Sequence, residues 1–229
     1  MPVVIVGAIA LLLLLIFGPA VWIKQVMARY SRPADRYPGT GGELARHLLD
    51  QLGLQHVKVE LTEQGDHYDP TSKTVRLAKG RYEGRSLTAV TVAAHEVGHA
   101  HQDANGYVPL KWRTRLVSVA APAQRLGAAL MMAAPVVAIV FRAPVAGLLP
   151  VLGGFLILGF SVLTHIVTLP TEFNASFGRA LPLLIEGGYL KPEDRRPARR
   201  ILTAAAWTYV AASLMTLLDV GRWWAILRR

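Results

Sequence analysis

Ala93-Ala94-His95-Glu96-Val97-Gly98-His99-Ala100 is the stretch on which the reading of this chain turns. Two histidines four residues apart, with a glutamate directly after the first, form an HExxH array. On a helix, positions i and i+4 share a face about one turn apart, so both imidazoles reach a single ion. A zinc ion held by two histidines takes one further protein ligand and keeps its fourth position open to water. Glu96 can approach that water without being a ligand and take its proton, which is the chemistry of metal-assisted peptide hydrolysis. Ser86 is a helix-capping residue type, and Leu87 to Ala94 runs unbroken and helix-compatible into His95. Gly98 is a poor helix former, but its bare backbone lets another segment approach closely beside the metal.

The chain has 229 residues, is 52% hydrophobic, lacks cysteine and carries a formal charge of +10. Its apolar content comes in blocks, which predicts membrane spans rather than one large soluble core. Val3 to Ile23 is almost wholly apolar. Met1 to Ile9 lacks the basic start of a secretory signal, so residues 1–24 read as an uncleaved anchor. Three further spans are expected, at Arg125 to Phe141, Val145 to Leu169 and Ile201 to Leu218. Pro135, Pro150 and several glycines are tolerable there, because neighbouring helices satisfy the freed backbone groups.

The expected fold is therefore a mainly α-helical integral membrane protein of about four transmembrane helices, with a small α+β zincin-like cytoplasmic region. Residues 1–24 form the anchor and 25–115 the region with the HExxH helix. Two membrane helices fall in 116–169, a third-ligand helix and basic loop in 170–200, and the last helix and tail in 201–229. Of 25 Lys and Arg residues, 20 lie in 24–115 and 171–200, which puts those segments, and the site, on the cytoplasmic side of a multi-pass plasma-membrane protein. The basic residues read as lipid-facing anchors, and no interleaved aromatic and basic pattern points to nucleic acid. The partners expected are the lipid bilayer and a protein or peptide substrate.

Between the first two spans, Leu44, Leu48, Leu49 and Leu52 give Glu43 to Leu52 helical periodicity, stopping at Gly53. Val57 to Leu61 and Thr74 to Ala78 alternate as short strands, joined by the polar, turn-rich stretch Thr62 to Lys73. A unit of about eighty residues is small for independent stability. Of the remaining histidines, His47 and His56 carry no assigned role. His101, two residues past His99, points off the ligand face and reads as structural. His67 lies in a turn signature, and His165 is a packing histidine within the third span.

Two carboxylates compete for the third ligand position. Glu172 follows Leu169-Pro170, where the third span ends and a new helix would begin, with Ser176 one turn later on the same face. Two spans separate His99 from Glu172, so the chain returns to its original side. Asp219, in Leu217-Leu218-Asp219-Val220-Gly221, would suit an intramembrane site but falls at the far end of the fourth span. Topology favours Glu172.

Several segments, in one order along the chain, resemble the YugP-like family of neutral zinc metallopeptidases of bacterial membranes. They are Thr40-Gly41-Gly42-Glu43-Leu44-Ala45, Asp66-His67-Tyr68-Asp69-Pro70, Val75-Arg76-Leu77, Gly84-Arg85-Ser86, the HExxH segment, and Leu169-Pro170-Thr171-Glu172-Phe173-Asn174-Ala175-Ser176. The resemblance implies an integral-membrane zinc peptidase with His95, His99 and a glutamate as ligands to Zn2+. Asn174 departs from the acidic residue expected at its position; an amide there still hydrogen-bonds but carries no charge. The leading expectation is a zinc endopeptidase near the membrane surface, with His95, His99 and Glu172 on the metal and Glu96 as general base. Tyr68, Tyr107 and Arg179 are candidate oxyanion donors. The alternative is a non-catalytic membrane scaffold with a structural or vestigial metal site.

Overall fold

Ser86 caps the central helix as its residue type predicts: its hydroxyl accepts from the Ala89 N–H at 3.2 Å. The helix it starts, Leu87–Ala104, is buried on every side from Leu87 to Ala100, as a helix in the middle of a core must be. The structure is a computed structural model and describes residues 2–208, 210 and 211. In chain order it has α1 (Pro2–Arg29), α2 (Gly41–Gln51), β1 (Lys58–Thr62), β2 (His67–Asp69), β3 (Thr74–Ala78), α3 (Lys79–Tyr82) and α4 (Leu87–Ala104). Next come α5 (Val108–Val140), α6 (Leu148–Phe173), a π-helical segment Asn174–Ala180 and α7 (Leu181–Glu186). Residues 195–208 are also helical.

The chain divides into two units. One comprises Val21–Lys111 and Leu169–Thr208, and the other Met1–Ala20, Trp112–Thr168 and Tyr209–Arg229. The first unit holds the site. Its core joins Leu48 and Leu49 of α2, Val75 and Leu77 of β3, and Val97 of α4 to Leu184, Ile201 and Leu202, all under 2% exposed. Each such side chain contributes about 1.5–3 kcal/mol by leaving water. The expected helix at Glu43–Leu52 is α2. Thr40 and Glu43 form a reciprocal capping box, and Gly53 ends the turn with φ +72°.

Both expected strands form, but they are not a hairpin. β1 pairs with β3 in parallel, Lys58 opposite Thr74, and β2 lies antiparallel on the other side of β3, giving the order β1-β3-β2. The connection read as turns thus contains a strand of three residues, too short to show alternation.

The expectation of about four transmembrane helices is corrected. Among the described residues, no single helix is long and apolar enough to cross a membrane. Only the pair Val108–Gly127 and Met132–Val140, bent by 40° at its break, has the length and composition together. α5 carries Pro122 and Pro135, and proline removes a helical hydrogen bond and bends the helix. Pro19 and Pro170 likewise lie inside α1 and α6. The predicted fourth span runs beyond the described residues, and Asp219 lies outside them.

A second correction concerns the segment with the third ligand. α6 does not stop at Leu169 but continues through Pro170 to Phe173 and passes into the π-helical segment. Glu172 therefore sits in the last turn of a long helix rather than the first turn of a new one.

Candidate metal centre

α4 turns His95 and His99 to the same side, with their rings edge to face and centroids 4.8 Å apart. Asn174–Ala180 runs against that side. It comes close because Gly98 has no side chain: a Cβ there would lie 2.6 Å from the Ala175 carbonyl oxygen. The segment's wide turn is explicit where the Leu181 N–H reaches back five residues to the Ser176 carbonyl. Such π-helical turns concentrate at functional sites. Glu172 thereby brings Oε2 to 3.3 Å from His95 Nε2 and 3.2 Å from His99 Nε2. All three residues are buried, at 3%, 3% and 1% exposure, and their ligand atoms lie within 4.8 Å of one another.

The neighbours settle which ring nitrogens carry protons. The Ser176 hydroxyl donates to the Leu202 carbonyl at 3.2 Å, so it offers a lone pair to His95 Nδ1 at 3.0 Å. His95 Nδ1–H is then the donor. The Gln102 amide nitrogen donates to the Thr171 carbonyl at 2.9 Å, which leaves its oxygen to accept from His99 Nδ1–H at 3.0 Å. With a proton on Nδ1 of each ring, Nε2 is the nitrogen that faces the Glu172 carboxylate and is placed to bind a metal. A metal ion held here would take both Nε2 atoms and a Glu172 oxygen as ligands. Neutral imidazole nitrogens plus one carboxylate are the donor set of a catalytic zinc site, so the residues fit the metal that the sequence suggests.

Glu96 is buried on the same helix, at 6% exposure. Of the candidate oxyanion donors, Tyr68 gives its hydroxyl to Asp103 at 2.7 Å, and Asp103 also receives Lys73 at 2.6 Å. Burial, reinforced by Asp103, raises the Tyr68 phenol above its ordinary range and keeps it neutral. Arg179 places Nη1 3.3 Å from both ring nitrogens of His101. Burial and then that guanidinium hold the His101 imidazole below its ordinary pKa. Tyr107 is half-buried just past α4.

His67 bonds its own turn at the Gly65 carbonyl, 2.9 Å away, and His56 is exposed. His47 meets the Tyr189 hydroxyl at 2.7 Å beside a cavity of about 620 Å³ that does not include the three ligands. The His165 side chain lies outside the described residues. Gln102 was not among the residues singled out from the sequence. Its spacing from His99, i to i+3 on one helix face, is the signal that points to it.

The family model for a "Putative neutral zinc metallopeptidase" matches residues 4–228. The chain belongs to this family. Within it, the chain is 36% identical over 212 residues to the "Putative membrane protease YugP" of Bacillus subtilis (strain 168), covering 87% of this chain and 86% of that relative. No solved structure matches the chain. Family membership joins a zinc peptidase class to a buried His-His-Glu group with the right atoms turned inward.

Proposed function

We propose that this protein is a membrane-associated zinc endopeptidase, with His95, His99 and Glu172 holding the metal. The observation that carries the reading is the convergence of two Nε2 atoms and one carboxylate oxygen in a buried group. Zinc bound there would supply a Lewis acid that acidifies a water and polarises a peptide carbonyl. The chain's own residues do the rest. Ser176 and Gln102 keep the two imidazoles in the metal-binding tautomer. Glu96 takes a proton from the attacking water at its carboxylate and returns it to the leaving amine.

Membrane association is supported by the name of the Bacillus relative and by large apolar side chains open to the surroundings. Leu14 is 67% exposed, Ile139 75% and Phe141 70%. Ile139, Val140 and Phe141 follow one another in the chain, each at least 68% exposed, and large exposed apolar groups side by side suit contact with lipid. Lys24, Arg29 and Arg32 follow the apolar part of α1, where they suit the anionic surface of a bilayer. Segments of membrane proteins near the bilayer are the substrates that suit such a site.

The test is Glu96→Gln. It should keep about one zinc per chain and lose roughly 10²–10⁴-fold in peptide hydrolysis, the range of general-base catalysis. Glu172→Ala should lose the zinc. A Glu96→Gln variant as active as wild type, or a wild type that takes up no zinc on reconstitution, would sink the proposal and leave a non-catalytic scaffold as the better account.

A further inference from the structure

Gln102 is fully buried on α4, and every polar function of its amide is used. The oxygen accepts from His99 Nδ1 at 3.0 Å. The nitrogen donates twice, to the Thr171 carbonyl and to Asn174 Oδ1, both at 2.9 Å. Thr171 and Asn174 lie on either side of Glu172 in the chain. Because a backbone carbonyl only accepts, Thr171 determines which end of the amide is NH₂, and therefore that the oxygen faces His99.

We infer that Gln102 is a positioning residue that sets two metal ligands at once, fixing the tautomer of His99 and the seat of Glu172. One amide joins the helix that supplies both histidines to the segment that supplies the carboxylate. Moving either ligand-bearing element strains the bond that orients the other. Asn174 takes part as an acceptor, the bond an aspartate would also make, without adding a second negative charge two residues from Glu172. Ser176 differs: it orients His95 but ties it to the Leu202 carbonyl, away from the other ligands. The bland account is a buried glutamine that needs partners simply because it is buried. That account predicts lost stability when the bonds go, with no change in how His99 presents itself to a metal. The inference rests on the zinc-peptidase reading for the identity of the metal, but not for any step of catalysis.

The experiment uses the full chain in detergent with zinc alone as ligand. Affinity is measured by competition with a chromophoric chelator for wild type, Gln102→Ala, Gln102→Met, Asn174→Ala and the Gln102→Ala/Asn174→Ala double variant. Nitrogen-15 spectra of the imidazoles in metal-free protein report the His99 tautomer. Thermal unfolding reports folding, and Gln102→Met, which fills nearly the same volume, keeps the test alive should the alanine variant not fold. Wild-type His99 should be protonated at Nδ1. Both Gln102 variants should mix tautomers and bind zinc about 10–100-fold more weakly, the range for a lost partner of a ligating histidine. Asn174→Ala should lose less, and the double variant should bind no more weakly than Gln102→Ala, since Asn174 acts through that amide. Unchanged tautomer and affinity in the Gln102 variants, or additive losses in the double, would overturn the inference. Wild type that hydrolyses no peptide while these differences persist would remove the peptidase reading and leave the positioning role standing. Glu96-dependent hydrolysis with wild-type zinc affinity in Gln102→Met would do the reverse.

Discussion

A methyl group at position 98 would have to share space with the Ala175 carbonyl oxygen, 2.6 Å from where its carbon would stand. Backbone cannot yield as a flexible side chain would, so α4 and Asn174–Ala180 must separate. Gly98→Ala should therefore lower stability by about 1–3 kcal/mol, as overpacking does, and weaken zinc binding because Glu172 moves with the segment. Unfolding and zinc titration check this, with Gly80→Ala as control, since a Cβ on Gly80 meets nothing within 4 Å. Ser176→Ala tests the other histidine: it frees His95 to rotate and should cost about tenfold in zinc affinity. At this scale much of the site was legible. The face shared by His95 and His99, and the close approach at Gly98, follow from residue type and spacing. Glu172 was favoured by a span topology that the structure does not keep, although it does meet both histidines. Gln102 was not legible in the same way, because its partners lie 69 and 72 residues away and a glutamine past the second histidine reads as an ordinary polar position.

Elements were legible where their ends carry local chemistry and illegible where their neighbours decide. Thr40, Glu43 and Gly53 mark α2, and Ser86 marks α4, by bonds within a few residues. The pairing of β1 with β3, and the π-helical turn after Glu172, depend on partners that no local pattern names. Another such partner is Asp194, at the start of the helix at 195–208. Arg36 grips its two oxygens at 2.6 Å each, and the Tyr37 hydroxyl donates at 2.5 Å. Burial alone would raise the Asp194 carboxyl, but those bonds outweigh it and hold it below the ordinary carboxylate range. The group is ionised in the folded chain, so its contribution is present above the ordinary carboxylate pKa and is lost as pH falls through the lowered folded value. Burial first, and then Asp194, raise the Tyr37 phenol, whose contribution is present below its ordinary pKa of about 10 and lost as pH rises beyond it. Asp194→Asn should cost roughly 2 kcal/mol near neutrality, within the range for hydrogen bonds to charged groups, and flatten the acid limb of the stability–pH curve. Tyr37→Phe should flatten the alkaline limb. Denaturant unfolding from acid to alkaline pH measures both, and an acid limb unchanged in Asp194→Asn would show that other carboxylates govern it.

For the whole molecule, the apolar runs were legible as composition but not as geometry. Val3–Ile23 and Arg125–Phe141 read as membrane crossings, yet α5 bends at its break and no single described helix suffices to cross. Two forces can hold such a chain at a bilayer, burial of apolar side chains and attraction of cations to anionic lipid. The exposed Leu14, Ile139, Val140, Phe141 and Val145, all at least 67% exposed, favour attachment through buried apolar area. Arg195, Arg196, Arg199 and Arg200 are also exposed and could attract an anionic surface instead. The two forces separate with salt, because screening shrinks the Debye length to about 3 Å at 1 M while leaving hydrophobic burial in place. Membranes from cells expressing the protein should retain it through a 1 M salt wash and through alkaline carbonate. Ile139→Asp combined with Val140→Asp should shift a measurable share into the carbonate supernatant. Release by salt alone would assign attachment to the arginines, and recovery in the soluble fraction without any wash would end the membrane-associated reading while leaving the metal centre untouched.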